Sequence, residues 1–294
     1  GLWSAYGALR WLHEPTSRWS FGALACGVLA LHARPPAGLF ALGLLGAVAL
    51  AQLLRGTLST ARRPIAIGVA CVLGVLSFSG LSYLKFGTFD GSPLRYSVQY
   101  TPKRLAKFEG KNFHLVNVAN NFATYVWRPR VDFESSFPYL LFERRPNATH
   151  PEKKMDSEEP AAAFPIAMPA LFVLAVAGSA WAGWRLPALR RALAVCWLAV
   201  VPMAGALFAA IVTSHRYTAD FCPFLIATSA LALAGIDHAA GAARRVILSV
   251  ASLLTLCSIV ATFALSLQFQ GELVWGVPDH RSEEHTSELQ SRFG

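Results

Sequence analysis

An all-helical protein that crosses a membrane about seven times, with one large external loop, is the architecture predicted by the sequence. Three observations predict it. Apolar residues make up 54% of the 294 residues and charged residues only 15%, more apolar surface than a soluble domain of this length can hide. Charge-free runs occupy 19–33, 37–54, 65–84, 164–183, 192–213, 221–236 and 246–269, most of them near the roughly 20 residues that carry a helix through a bilayer. The basic residues are scattered at the ends of these runs rather than gathered on one surface, with Arg pairs or triplets in alternate short connectors.

The N-terminal membrane part, 1–84, takes the first three runs. The first is short for a span, and glycines at 22, 27, 43 and 46 fit close helix packing in the first two. The connector 55–63 carries Arg55, Arg62 and Arg63, that at 184–191 carries Arg185, Arg190 and Arg191, and that at 238–245 carries Arg244 and Arg245. Positive charge biases a connector towards the cytoplasm. The N-terminus is then inside, and Arg34-Pro35-Pro36, the segment 85–163 and the segment 214–220 all face outward. This use of the cations excludes nucleic acid as the expected partner; membrane lipid takes its place.

The loop 85–163 opens with Lys85-Phe86-Gly87-Thr88-Phe89-Asp90-Gly91-Ser92-Pro93, where two glycines and a proline mark turns. Leu115, Val118, Phe122, Tyr125 and Val126 then recur at helical spacing, with Asn117, Asn120 and Asn121 on other faces. Trp127 and Arg128 close this amphipathic segment and Pro129 stops it, a pattern that fits either the membrane interface or packing on neighbouring loops. Residues 143–160 are charged and poor in apolar side chains. The Asn147-Ala148-Thr149 sequon inside them carries no argument.

The C-terminal membrane part, 164–270, contains four runs, and a short tail follows at 271–280. Between the fifth and sixth runs lies Ser214-His215-Arg216-Tyr217-Thr218-Ala219-Asp220-Phe221-Cys222-Pro223-Phe224. Charge at the edge of a span is costly and calls for a partner or ligand. Spaced four apart, Arg216 and Asp220 share a face on an α-helix and are expected to pair. Cys26, Cys71, Cys196, Cys222 and Cys257 fall in or beside apolar runs without metal or redox spacing, and read as small hydrophobes. The stretch Arg281–Ser291 resembles the in-frame translation of a sequencing-library adapter. With Gly1 in place of an initiating methionine, this leads us to expect a chain cut at both ends and no functional role for 281–294.

Three stretches carry a resemblance. Gly22 to Pro35 is a small-residue span ending in Arg34-Pro35; Lys85-Phe86-Gly87-Thr88-Phe89 is followed by Pro93-Leu94-Arg95-Tyr96; and Arg216-Tyr217-Thr218-Ala219-Asp220-Phe221 is followed by Pro223. In this order they resemble bacterial relatives of the dolichyl-phosphate-mannose protein mannosyltransferases, of the GT-C class of polytopic membrane glycosyltransferases. The resemblance covers roughly 20–240. It implies sugar transfer from a polyprenyl-phosphate donor at the outer face of the bacterial inner membrane, and leaves a divalent metal ion open as cofactor. Such families place a catalytic carboxylate in the first external loop, and no stretch here matches that loop, so no catalytic residue is assigned. Arg216 would hold the lipid phosphate with its planar donors, Tyr217 would stack on the sugar or donate to the phosphate, and Asp220 would orient the arginine. His215, Arg34 and Arg95 are further candidates for the same phosphate. The competing readings are a transporter or flippase of lipid-linked precursors, an assembly subunit, and a set of helix anchors at the interface with no ligand.

Overall fold

The computed structural model describes residues 1–55, 61–89, 91, 93–96, 101–128, 131–133, 135, 140–142, 154–158, 161–236 and 241–274. The sequon at 147 and the adapter-like stretch 281–294 lie outside these residues, as do parts of the connectors 55–63 and 238–245.

Helix dominates the described residues. The long elements are α1 (Leu2–His13), α2 (Ser17–Ala33), α3 (Pro35–Leu53), α4 (Arg62–Phe86), α10 (Arg190–Ala209), α11 (Cys222–Ile236) and α12 (Gly241–Val274). Shorter helices are α5 (Pro102–Lys107), α6 (Val118–Phe122), α7 (Phe164–Ala167), α8 (Pro169–Val173) and α9 (Ser179–Arg185). Among the described residues, five stretches are long and apolar enough to cross a membrane: Pro35–Leu53, Arg62–Phe86, Pro187–Ala209, His215–Ala234 and Gly241–Gln268. In lipid a chain must satisfy its own backbone groups, and a continuous helix does so within itself.

Two of the seven expected spans have a different form. The first run lies in α2, a helix of 17 residues that packs on α3. The fourth, 164–183, is interrupted. Pro165 and Pro169 sit at the starts of α7 and α8, Met168 between them leaves the helical region, and a π segment, Leu174–Gly178, precedes α9. Proline cannot donate to the preceding turn, so carbonyls are released. The break at Met168 also leaves the Ala167 carbonyl at the end of α7, where Ser258 and Thr262 of α12 donate to it at 2.7 and 3.4 Å, and Ser229 of α11 donates to the Leu171 carbonyl at 3.2 Å. The break is therefore sealed inside protein, the condition under which irregular backbone persists at membrane depth.

At the centre stands α3. Phe40, Leu44, Leu45 and Val48 are fully buried, and the helix is apolar on all sides, as a helix enclosed by α1, α2, α4 and α10 must be. Small residues set the closest approaches. Gly38 faces the Leu31 backbone of α2, Gly27 faces the Leu42 side chain, and Gly43 faces the Ala199 carbonyl of α10. The expectation for Gly22 and Gly46 fails, because both face open space.

Ahead of the first apolar run stands α1. Its 12 residues include Arg10, which interrupts the apolar pattern. It is nonetheless buried along one side, with Ser4 Oγ donating to the Ala23 carbonyl at 2.7 Å and the Trp11 carbonyl accepting from Gln52 at 2.7 Å.

The bundle has two ends. Gln52, Arg63 and the start of α10 define one, and Arg34 with the turn after α10 defines the other. The described part of the 85–163 loop packs at the Arg34 end. Gly87, with φ of 67°, ends α4 in the left-handed conformation that glycine tolerates, and its N–H donates to the Tyr83 carbonyl at 2.8 Å. A two-stranded antiparallel pair, β1 (Val131–Phe133) with β2 (Leu140–Phe142), sits against α12, where Gln268 bonds both the N–H and the carbonyl of Phe142 at 2.8 and 3.0 Å. A short parallel pair joins β3 (Ser157–Glu158) to β4 (Val212–Thr213), just past α10.

Candidate functional site

The chain leaves α10 at Ala210, makes β4, and turns through a 3-10 helix, His215–Phe221, into α11. Three residues per turn, rather than 3.6, decide the geometry of the motif. Arg216 and Asp220 then lie about a third of a turn apart instead of on one face. Asp220 points inward, 1% exposed, and Arg216 points to solvent. The expected Arg216–Asp220 pair is replaced by another.

That other pair joins Asp220 to Arg34 at the start of α3. Arg34 Nε donates to Asp220 Oδ1 and Nη2 to Oδ2 at 3.2 Å, a two-pronged contact. Nη2 also donates to the Arg216 carbonyl at 2.9 Å. The Asp220 carboxylate, chiefly through its hydrogen bond, raises the Arg34 pKa above its ordinary value and keeps the guanidinium charged. Arg34 thus ties the end of α2 and the start of α3 to the motif before α11. Its side chain remains 49% exposed.

Arg216 is left without a carboxylate partner among the described residues. Its guanidinium carbon lies 5.3 Å from the centre of the Tyr217 ring, a cation–π contact that holds the side chain without using its donors. Tyr217 is half-buried against the core. His215 is partly buried, and its Nδ1 has no hydrogen-bond partner among the described residues. Arg95 is not part of this group. It donates to the Phe86 carbonyl at 3.1 Å and lies over the Tyr96 ring at 4.8 Å, which fixes it at the end of α4.

The turn beneath the motif is held from the loop side by the asparagines of the 115–127 segment. Asn121 donates to the carbonyls of Phe208 and Ala210, both at 2.8 Å. Asn117 donates to the Ala210 carbonyl at 3.3 Å and to that of Lys154 at 2.9 Å. These amides take carbonyls that the C-terminal turn of α10 cannot satisfy within the helix. The segment 115–127 is accordingly a 3-10 turn, then α6, then a π segment, with Asn117, Asn120 and Asn121 buried and Leu115, Phe122 and Trp127 exposed.

Tyr125, fully buried, supplies the last fastening. Its hydroxyl accepts from the Ser214 N–H at 3.0 Å and donates to the Ser214 carbonyl at 3.2 Å. Its ring stacks with Phe164 and Phe208, and both of those touch Phe221, making an aromatic floor below the motif. Tyr125→Phe keeps that floor and removes both hydrogen bonds from a buried backbone unit. We expect it to lower unfolding stability by roughly 1–3 kcal/mol, read from SDS titration in mixed micelles by far-UV circular dichroism; an unchanged midpoint would show that the hydroxyl contributes nothing.

Among the described residues, no group of three or more His, Cys, Asp or Glu side chains is arranged to hold a metal ion. The chemistry available at this end is a cationic surface: an exposed arginine lying on an aromatic ring, beside a second arginine fixed by a buried carboxylate. Such a surface can bind a phosphate at the rim of an apolar bundle. Comparison with protein-family models, with curated protein sequences and with solved structures gives no match.

Proposed function

We propose that this chain is part of a polytopic membrane glycosyltransferase that binds a polyprenyl-phosphate-linked sugar at the Arg34 end of the bundle, with that end facing outward. The observation that carries the reading is the division of labour between the two arginines. Arg34 is committed to Asp220, while Arg216 is exposed, oriented by Tyr217 and free of any carboxylate among the described residues. A phosphate monoester or diester is the ligand that planar donors at a lipid-water boundary fit best.

In the transfer, the bond between the sugar anomeric carbon and the carrier phosphate oxygen breaks as the acceptor oxygen attacks. The phosphate leaves with the electron pair, and the acceptor proton passes to a base. Arg216 serves by stabilising charge on the departing phosphate; no base is assigned among the described residues. The seven-span arrangement belongs to this reading, with α2 and the interrupted segment 164–185 as the two further crossings.

A transporter is the competing reading, and a broken helix is one of its marks. Here the break at Met168 is closed by hydroxyls of α11 and α12, which argues against a substrate path through it.

Arg216→Ala is expected to weaken binding of a polyprenyl phosphate to the purified protein about tenfold or more, the loss of a charge-assisted hydrogen bond. Arg216→Lys should keep part of the affinity, and the helical signal of both variants should match the parent. Equal binding by parent and Arg216→Ala would remove the proposed role of Arg216. Binding without sugar transfer to any acceptor would favour the transporter.

A further inference from the structure

At the end of the bundle away from Arg34, α9 and α10 diverge around a crevice of about 410 Å³. We propose that this crevice holds one acyl chain of an anionic phospholipid, with the lipid phosphate on Arg190.

The walls are apolar, formed by Val176, Ala180, Leu193 and Trp197. The volume falls in the range of clefts that hold small ligands, roughly 300–1,000 Å³. Ser179 also lines the crevice. It is 6% exposed and adds a small, closed patch to the wall rather than a polar contact.

The mouth carries the charge. Arg190 lines the crevice and caps the last turn of α9, donating from Nε to the Gly183 carbonyl at 2.7 Å and from Nη2 to the Trp184 carbonyl at 3.4 Å. Those bonds fix the guanidinium at the rim and leave Nη1 for a ligand. Arg191 follows it, exposed, and Arg185 lies 4.6 Å from the centre of the exposed Trp184 ring. No Asp or Glu occurs anywhere between 164 and 213. Arg190 at the entrance of an apolar crevice, with Arg185 and Arg191 beside it in sequence and none of the three ion-paired to a carboxylate among the described residues, complements a lipid that carries net negative charge. Since α10 has 20 residues, this site lies about 30 Å along the helix from the Arg34–Asp220 pair and is independent of the proposed function.

Brominated lipids quench nearby tryptophan emission, and the contribution of Trp197 is isolated as the difference between the parent and Trp197→Phe. In phosphatidylcholine bilayers, brominated phosphatidylglycerol should half-quench that contribution at a fraction at least about fivefold lower than brominated phosphatidylcholine, the preference expected from one cation at a lipid surface. Arg190→Ala with Arg191→Ala should remove the preference, Arg190→Lys should retain it, and Ala180→Phe should block quenching by both lipids by filling the crevice. Equal half-quenching by the two lipids would mean ordinary surrounding lipid and overturn the proposal. So would a preference that survives loss of both arginines, or full quenching in Ala180→Phe at parental helicity. Arg190→Lys that inserts normally but loses the preference would overturn the charge assignment.

Discussion

Gly38→Ala is expected to lower the stability of the bundle by about 3 kcal/mol, the upper part of the range for overpacking a core. A Cβ at position 38 would lie 2.1 Å from the Leu31 Cα and 2.3 Å from the Leu31 nitrogen. These are backbone atoms, so no side-chain rotation relieves the collision, and α2 and α3 must separate. Helix propensity acts the other way, since alanine is favoured over glycine by about 1 kcal/mol in a helix interior. The collision outweighs that gain. Gly46→Ala is the control: it lies on the same helix but faces open space, and should be neutral or stabilising by up to about 1 kcal/mol. Midpoints of SDS unfolding in mixed micelles separate the two. A Gly38→Ala protein as stable as the parent would refute the close α2–α3 contact. Because Arg34 lies in the turn between these helices, Gly38→Ala should also disturb the Asp220 pair.

The second large effect is at that pair. Arg34→Ala leaves the Asp220 carboxylate buried without its guanidinium. Removing one partner of a fully buried pair costs about 3–5 kcal/mol. Arg34 is 49% exposed, and water can reach part of the space it vacates, so the expected loss is nearer 2 kcal/mol. Asp220→Asn in the same chain removes the uncompensated charge and should restore much of the loss. The double variant is then more stable than the sum of the single changes predicts. Additive effects would show that the two side chains do not interact. Arg216→Ala provides the contrast. It removes an exposed cation–π contact of roughly 0.5–1 kcal/mol, so it should alter ligand binding with little change in unfolding.

These two variants mark how much of the site was legible in the sequence. The position of the motif followed from charge standing between apolar runs, and Arg34 was already among the candidates. The Arg34–Asp220 pairing did not follow. The partners stand 186 positions apart, and a pattern rule that pairs residues four apart applies to an α-helix, not to the 3-10 turn formed here. Arg95 was grouped with the phosphate candidates, but the turn after α4 holds it against the Phe86 carbonyl. The segment 115–127 shows the same limit. Its apolar spacing fits either the membrane interface or packing on neighbouring loops; the fold turns the asparagines inward to satisfy the end of α10 and leaves Leu115, Phe122 and Trp127 exposed.

What the sequence determined by itself was helical character and the location of the long apolar helices, because backbone groups in lipid must be satisfied within the segment and the run of apolar side chains records its length. Gly87 was legible for a similar reason, since a left-handed helix end is a local demand. The tertiary structure decided which helices enclose α3, how the broken segment 164–185 is sealed, and which arginine Asp220 holds. Each of these depends on surfaces brought together from distant parts of the chain. Local periodicity carries no information about a hydroxyl on α12 reaching the carbonyl at the helix break before Met168, or about a carboxylate turned inward by a change of 0.6 residues per turn.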